Sequence, residues 1–271
     1  MMNLYLKNII KRSVLYIKNV IGQQRFYTDT QKNHFEVERK FKFDPSKVNL
    51  LEANRGKKPF DKVMFLSEKS FTDIYYDNLL DYPLTTNDIW LRQRDDKWEC
   101  KTPVNLTASM DSYHELENTT LIKNFLDEKL KNNQAIKRQS ENIPYYENKS
   151  FKEFLFKNYK LEPFCTITTQ RRSYLINNKF TMVLDTADFG HSVGEIELIV
   201  ESTDKVQDAE KRIAMFMKEH DWFFETEGVV MGKLMAYISR FNQNQWECME
   251  KSNVVKRKLF PETLENIVTK T

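Results

Sequence analysis

The chain has 271 residues, of which 40% are hydrophobic and 13% aromatic, so it contains enough apolar material for one large domain with its own core. The formal net charge is only +3, and the three cysteines show no CxxC spacing, which argues against a disulfide framework or a cysteine-based zinc site. Glycine and proline are scarce, so composition marks no flexible linker.

The first thirty residues differ in charge from the rest of the chain. They carry five basic residues and no acidic residue before Asp29, and their apolar residues recur at helical spacing. This pattern predicts a mitochondrial presequence over residues 1–30, with a site resembling a processing site after Tyr27, and an ordinary N-terminal helix is the alternative. Residues 31–250 are predicted to form the folded domain and residues 251–271 a polar, solvated tail.

Charge and hydropathy also bear on partners. Removal of residues 1–27 takes away five positive charges and no negative ones, so the formal net charge falls from +3 to −2. A nucleic-acid-binding domain usually has a basic excess, so no nucleic-acid partner is predicted. No apolar run reaches the roughly 18 residues of a membrane span. Since no heptad run indicates a partner surface, we expect a monomer.

Alternating apolar and polar residues predict a domain rich in antiparallel strands. Strands are predicted near 35–43, 62–77, 88–101, 111–117, 164–176, 179–185 and 193–200. Helices are predicted over 44–56, 150–159 and 204–222, and from about 228 to 249. Residues 131–149 are polar and rich in asparagine, which indicates a surface loop. We therefore expect an α+β fold with helices packed outside a sheet.

The charged residues of these strands occupy alternate positions and are sorted by type. Acidic pairs occur at Glu36/Glu38 and Glu195/Glu197, and basic residues at Arg92, Arg94, Lys101 and Arg172. In a single strand this alternation more often marks a solvated face. Repeated over six strands and sorted by type, it favours a closed barrel whose polar lumen holds a polyanion, with divalent metal ions bridging the anion to the carboxylates.

The same segments carry a family resemblance. EVERK, residues 36–40, matches the Glu-x-Glu-x-Lys signature of the CYTH, or triphosphate tunnel, superfamily. The similarity continues in order through FTDIYYD, WLRQRDDKWECK, QRRSYL, LDTADFGHSVGEIE and GKLMAYISRF. Together these segments resemble the thiamine triphosphatases of animals over about residues 34–245.

The resemblance implies an eight-stranded antiparallel closed β-barrel around a tunnel, and Mg²⁺-dependent hydrolysis of thiamine triphosphate to thiamine diphosphate and phosphate. It assigns triphosphate binding to Lys40, Arg92, Arg94, Lys101, Arg172 and Lys233, and Mg²⁺ binding to Glu36, Glu38, Glu195 and Glu197. Trp90 would stack on the thiamine moiety at the tunnel mouth. The catalytic candidates are Glu195, which also approaches the substrate, Glu115, which could orient water, and Lys101, which could stabilise the leaving diphosphate.

One position departs from the family pattern. The vertebrate enzymes have an acid two residues before the Asp of LDTADFG, where this chain has Val183, and Asp185 on the same face is expected to take over as a metal ligand. Two other functions stay open. The same tunnel could hydrolyse inorganic triphosphate, or, because of Val183, it could bind polyphosphate without turnover. An adenylate cyclase is disfavoured because nothing resembles its adenine pocket.

Overall fold

The computed structural model describes residues 35–104, 111–130, 150–225 and 230–259. The predicted presequence and the predicted loop over 131–149 lie outside these residues, as does the end of the predicted tail. Among the described helices, none is long and apolar enough to cross a membrane.

Eight antiparallel strands form a closed barrel, as predicted. They are β1 (Phe35–Phe41), β2 (Val63–Asp77), β3 (Trp90–Arg94), β4 (Lys97–Pro103), β5 (Asp111–Leu116), β6 (Glu162–Ile176), β7 (Phe180–Ala187) and β8 (His191–Val200). Around the barrel they follow the order β1-β5-β4-β3-β2-β6-β7-β8, and β8 pairs back to β1. Each described strand therefore has a neighbour on both sides, although β2 and β6 extend beyond their pairing with β3 and β7.

The register of the strands decides which side chains enter the lumen, the space enclosed by the barrel. Directly paired residues share a face of the sheet. Lys40 is paired with Glu195, and Glu38 with Glu197, whereas the apolar side chains of β1 alternate with these and face outward. On β1 and β8 the charged residues at these positions therefore face the lumen, and the apolar residues between them form the outer surface on which helices pack.

Helices cover the outside of the barrel in two places. They are α1 (Val48–Glu52), α2 (Thr119–Leu130), α3 (Phe151–Tyr159) and α4 (Val206–Glu219). Helix α4 packs its apolar stripe over β1 and β8, in a cluster that includes Val37, Ile196 and Ile213. Helices α2 and α3 pack over β3, β4 and β5 around Leu91, Cys100 and other apolar residues.

A third group of helices packs at one end of the barrel. It comprises α5 (Lys233–Phe241), α6 (Gln243–Lys251) and α7 (Val254–Leu259). Their buried residues form a cluster with lumen-facing residues of β2, β6 and β7, among them Tyr75, Ile167 and Ala187. Residues 251–259 are thus packed, so the prediction of a solvated tail from residue 251 is wrong over this stretch.

Several element boundaries differ from the predicted ones. The stretch predicted as one strand over 88–101 is a hairpin of β3 and β4, because Asp95 adopts a positive φ of 50° and turns the chain. The single helix predicted over about 228–249 is broken at Asn242, whose side chain accepts a hydrogen bond from the backbone N–H of Gln245 at 3.3 Å and caps α6. Helix α2 was not predicted.

Candidate active site

Three carboxylates converge on one side of the lumen. Glu36 and Glu38 come from β1 and Glu197 from β8, and one oxygen of each lies within 4.8 Å of the others. The pairing of Glu38 with Glu197 brings the two strands' carboxylates together. Burial, together with the nearby carboxylates of Glu195 and Glu38, raises the pKa of Glu197 to about 8 against the opposing effect of Arg171.

This three-carboxylate cluster has the chemistry of a site for a divalent cation. Burial and the carboxylates of Glu115, Glu38 and Glu197 also raise the pKa of Glu36, although Lys101 opposes the shift. Burial is the main cause of both raised pKa values, so a bound divalent cation would stabilise the charged forms of these carboxylates. Oxygen ligands are the ones that Mg²⁺ and similar hard cations prefer, so the three side chains fit such an ion.

Two lysines lie among these carboxylates. The Lys101 ammonium donates a hydrogen bond to Glu36 and lies 3.6 Å from Glu38 and 3.0 Å from Glu115. Lys40 donates to Glu38 and lies 3.7 Å from Glu195. Burial alone would raise the pKa of Glu115, but the charges of Lys101 and Arg92 outweigh it and hold that pKa below its usual range. Glu115 is therefore an anion beside Lys101.

The two arginines of β3 lie in the lumen with carboxylate partners from the neighbouring strands. Arg94 forms a bidentate pair with Asp73 of β2, at 2.8 and 3.0 Å. Arg92 donates to Glu99 of β4 at 2.5 and 2.8 Å and lies 3.7 Å from Asp73. Cross-strand register explains both pairs, because Asp73 is opposite Arg94 and Glu99 is opposite Arg92.

Asp185 does not join the three-carboxylate cluster. Arg171 binds both of its oxygens at 2.6 Å, and Lys233, reaching in from the start of α5, donates to one of them. Burial raises the pKa of Asp185, but these two cations outweigh it and lower the pKa overall. The expectation that Asp185 takes over as a metal ligand is therefore not met by this arrangement, since its oxygens are already bound.

Glu195 lies between Arg171 and Lys40. Its carboxylate is 3.5 Å from Arg171 and 3.7 Å from Lys40, so cations are its neighbours, and its oxygens are outside the three-carboxylate cluster. Val183 is paired with Glu195 in register and is buried. Val183, the position that departs from the family pattern, thus faces the lumen beside Glu195, but its side chain can supply no ligand.

Arg172 was predicted to face the lumen, and that placement is wrong. Its guanidinium is on the outer surface, 3.2 Å from Glu68 and 3.6 Å from Glu52. Tyr174, two residues further along β6, is fully buried in the outer core and donates a hydrogen bond to Glu52 of α1 at 2.8 Å, which fixes the alternation of β6. Arg171, one position earlier, is therefore the arginine that enters the lumen.

Trp90 lies at the end of the barrel where α5, α6 and α7 pack. Its ring contacts their apolar cluster, and its indole N–H donates to the hydroxyl of Tyr113 at 3.0 Å. Trp90 is the register partner of Lys101. The C-terminal helices pack at this end of the barrel, where the resemblance puts Trp90 at the tunnel mouth.

Some lumen residues were given no substrate, metal or catalytic role by the sequence analysis. Asp73 and Glu99 are such residues, and alternation with Arg94 and Arg92 across the register could have indicated them. Phe71 packs under two guanidinium groups, with its ring 4.1 Å from Arg94 and 5.3 Å from Arg171. No sequence signal distinguishes this phenylalanine from a core residue.

The described lumen thus contains cationic and anionic side chains, and the anionic ones are more numerous. The cations are Lys40, Arg92, Arg94, Lys101, Arg171 and Lys233, and the anions are Glu36, Glu38, Asp73, Glu99, Glu115, Asp185, Glu195 and Glu197. Buried charges are costly unless they are paired, and here the lysines and arginines are held in place by carboxylates. Such preorganised cations can bind a chain of phosphate groups, and the surplus carboxylates can hold the metal ions that accompany it.

The CYTH domain model matches residues 34–221 of this chain, which spans all eight strands. Solved structures with similarity include a protein from Pyrococcus horikoshii, at 16% identity and a TM-score of 0.47 over 76% of this chain and 99% of that one. A proposed adenylate cyclase from Vibrio parahaemolyticus has 15% identity and a TM-score of 0.47, covering 77% of this chain and 99% of that one.

A third structure is that of a proposed adenylyl cyclase from Hippeastrum, described as having a dominant triphosphatase activity. It has 17% identity and a TM-score of 0.43, with coverage of 76% of this chain and 96% of that one. Identities this low carry no activity over from these proteins to this chain.

Proposed function

The chain belongs to the CYTH domain family, and we propose that it hydrolyses thiamine triphosphate to thiamine diphosphate and phosphate in its lumen, with Mg²⁺. The observation that carries this proposal is the set of six lysine and arginine side chains that face a three-carboxylate cluster inside a closed barrel. A triphosphate is a compact polyanion with several negative charges, and guanidinium and ammonium groups are the side chains that bind such groups best.

We assign each cation of the lumen to a part of the triphosphate according to its position. Lys40 and Lys101 contact the carboxylate cluster, and the charge of Arg92 acts on Glu115 beside Lys101, so we assign these three cations to the end of the triphosphate that the metal also binds. Arg94, Arg171 and Lys233 then hold the remaining phosphates. Their carboxylate partners, Asp73 and Asp185, hold these cations in place and would share them with the phosphates.

Mg²⁺ bound at Glu36, Glu38 and Glu197 would neutralise charge on the phosphate oxygens and polarise the terminal phosphorus. Glu115 is ionised and accepts from Lys101, so it is the carboxylate available to orient a water molecule. Lys101 touches both Glu115 and the cluster, and we assign it to the charge that develops on the leaving diphosphate.

Thiamine, rather than a bare triphosphate, is proposed on account of Trp90. A flat aromatic ring beside the cationic groups can stack on a positively charged thiazolium. The second candidate is hydrolysis of inorganic triphosphate, which needs no stacking on Trp90 and is favoured by the contacts that this side chain already makes. The indole N–H of Trp90 already bonds Tyr113, and its ring packs against the C-terminal helices.

The test is phosphate release by the purified full chain. We expect a larger kcat/KM for thiamine triphosphate than for inorganic triphosphate with Mg²⁺, and no release with either after chelation of the metal. The variant Glu38→Gln should lose activity on both substrates, because it removes a charge from the metal cluster. A larger kcat/KM for inorganic triphosphate would reassign the substrate, and tight binding without release would identify a binding protein.

A further inference from the structure

The indole of Trp90 is linked to the last described helix through a chain of hydrogen bonds. Trp90 donates to the Tyr113 hydroxyl at 3.0 Å, and that hydroxyl donates to Asp88 at 3.1 Å. Lys258 of α7 donates to the same hydroxyl and lies 3.0 Å from the other oxygen of Asp88. A tyrosine hydroxyl can both donate and accept hydrogen bonds, so it joins all three of these partners.

The link is buried. Asp88 is 4% exposed and the side chain of Lys258 is 11% exposed. Water has little access to these groups and cannot replace a lost hydrogen bond or ion pair. Each polar atom must therefore keep its partner, which fixes the geometry of the link. Asp88 also has a positive φ of 62° and ends the turn that leads into β3, two residues before Trp90. The backbone and side-chain positions at the start of β3 therefore share one anchor.

The same anchor reaches the charges of the lumen. The Tyr113 ring lies 4.4 Å from the Lys258 ammonium and 5.7 Å from that of Lys101. Tyr113 is also the register partner of Glu36, a member of the three-carboxylate cluster. A displacement of Tyr113 would therefore alter its contacts with both Trp90 and Lys101.

Helix α7 is held over this end of the barrel by packing as well. Val254 and Val255 are buried in the C-terminal cluster. A second polar link fixes the preceding helix to the same turn, since Gln245 of α6 donates to Thr85 at 3.0 Å and Thr85 donates to Asp77 at 2.7 Å. The position of α7, which carries Lys258, is thus set by packing contacts that do not depend on the charge of Lys258.

We infer that Lys258 is a positioning residue that fixes Trp90, and with it the end of the lumen that receives the organic part of an organic triphosphate. This inference rests on the proposed function for its substrate. Lys258 touches no phosphate in this arrangement and acts through Tyr113 and Asp88. Its loss should therefore affect an organic triphosphate more than inorganic triphosphate, which has no group to place against the indole.

The test compares Lys258→Met with Lys256→Met, a lysine on the exposed side of the same helix. For Lys258→Met we expect KM for thiamine triphosphate to rise roughly tenfold, the effect of losing a hydrogen bond to a charged group, with a smaller change for inorganic triphosphate. Lys258→Arg should restore most of the loss, and Lys256→Met should match the wild-type chain.

A second readout does not depend on turnover. The indole N–H resonance of Trp90, assigned by its absence in Trp90→Phe, should shift in Lys258→Met and stay in place in Lys256→Met. If Lys258→Met fails to fold, Tyr113→Phe removes the central hydroxyl while keeping the ring, and the same shift is expected.

The outcomes separate the inference from the proposed function. An unmoved indole resonance in folded Lys258→Met overturns the inference, whatever the enzyme hydrolyses; if that variant does not fold, an unmoved resonance in Tyr113→Phe overturns it. A moved resonance in a wild-type chain that releases no phosphate supports the positioning role and refutes the proposed function. Equal rises in KM for both triphosphates overturn the assignment of Lys258 to the organic end.

Discussion

Arg171 and Arg172 are adjacent in β6 but lie on opposite sides of the barrel wall. Arg171 binds Asp185 and lies 3.5 Å from Glu195 inside the lumen, whereas Arg172 pairs with Glu68 and Glu52 on the outer surface. The two residues have the same chemistry and the same secondary structure. They therefore form a matched pair for testing which face of the barrel holds the site.

We predict that Arg171→Gln lowers kcat/KM by roughly 10- to 100-fold, because a charge-assisted hydrogen bond to phosphate is worth about 1.5–3 kcal/mol. Arg172→Gln should change it less than about twofold, since exposed ion pairs contribute little. Steady-state phosphate release and urea unfolding of both variants separate binding from folding. Equal losses in the two variants would contradict the inward assignment of Arg171.

The raised pKa of Glu197 predicts how metal affinity depends on pH. A carboxyl group with a pKa of about 8 holds a proton below that pH, and only the deprotonated group binds a cation. Apparent Mg²⁺ affinity should therefore increase by up to roughly tenfold per pH unit below 8 and level off above it.

Calorimetric titration of the full chain with Mg²⁺ between pH 6.5 and 9 measures this dependence. Glu197→Gln provides the control, because its side chain cannot titrate and should leave a weaker affinity with a flatter pH profile. A wild-type affinity that is constant over this range would show that Glu197 is not protonated in the metal-free chain.

At the scale of elements, helix α4 supports the strands that carry the metal cluster. Ile213 is fully buried against the outer face of the barrel, whereas Met215 on the same helix is 71% exposed. Strands β1 and β8, which α4 covers, supply Glu36, Glu38 and Glu197. The outward-facing apolar residues of β1 and β8 thus pack on α4, whereas the inward-facing carboxylates of the same two strands form the metal cluster.

Ile213→Ala is expected to lower the free energy of unfolding by about 2–4 kcal/mol, because it leaves a cavity in a close-packed core. Met215→Ala should change that free energy by less than about 0.5 kcal/mol. Urea unfolding followed by circular dichroism measures both. Similar values for the two variants would mean that α4 does not pack on the barrel as described.

Element boundaries show where local sequence signals end. The N-terminal cap of α3 was readable, since Ser150 accepts from the backbone of Glu153 at 3.2 Å, as its capping-box sequence predicts. The hairpin between β3 and β4 was not, because two aspartates form a turn without the usual glycine. Helix α2 was missed because its buried residues, such as Ile122 and Leu126, are few and its mean hydropathy is near neutral.

At the scale of the whole molecule, period-2 charge alternation predicted most of the charged face that lines the lumen, and the family resemblance predicted the eight-stranded closed barrel. Glu36, Glu38, Arg92 and Glu197 are where that alternation puts them. It could not choose between Arg171 and Arg172, because adjacent arginines fit either phase and only the burial of Tyr174 decides. The links from Trp90 to Lys258 join residues far apart in sequence, and no local pattern reports such contacts.

The N-terminal prediction concerns the fate of the whole chain. A reporter fused to residues 1–30 should accumulate in mitochondria, because the segment is basic, free of acids before Asp29 and apolar at helical spacing. Replacing its five basic residues with glutamine should abolish import. A cytosolic signal from the unmodified fusion would contradict the prediction.

The central claim is that the lumen binds a metal ion and a triphosphate together. The most direct measurement is an anomalous difference map from crystals of the chain grown with Mn²⁺ and a non-hydrolysable triphosphate analogue. We predict a Mn²⁺ peak between Glu36, Glu38 and Glu197, with phosphate density against Lys40, Lys101 and Arg92. A bound analogue on the outer surface beside Arg172, with the lumen still closed by its own ion pairs, would contradict the account.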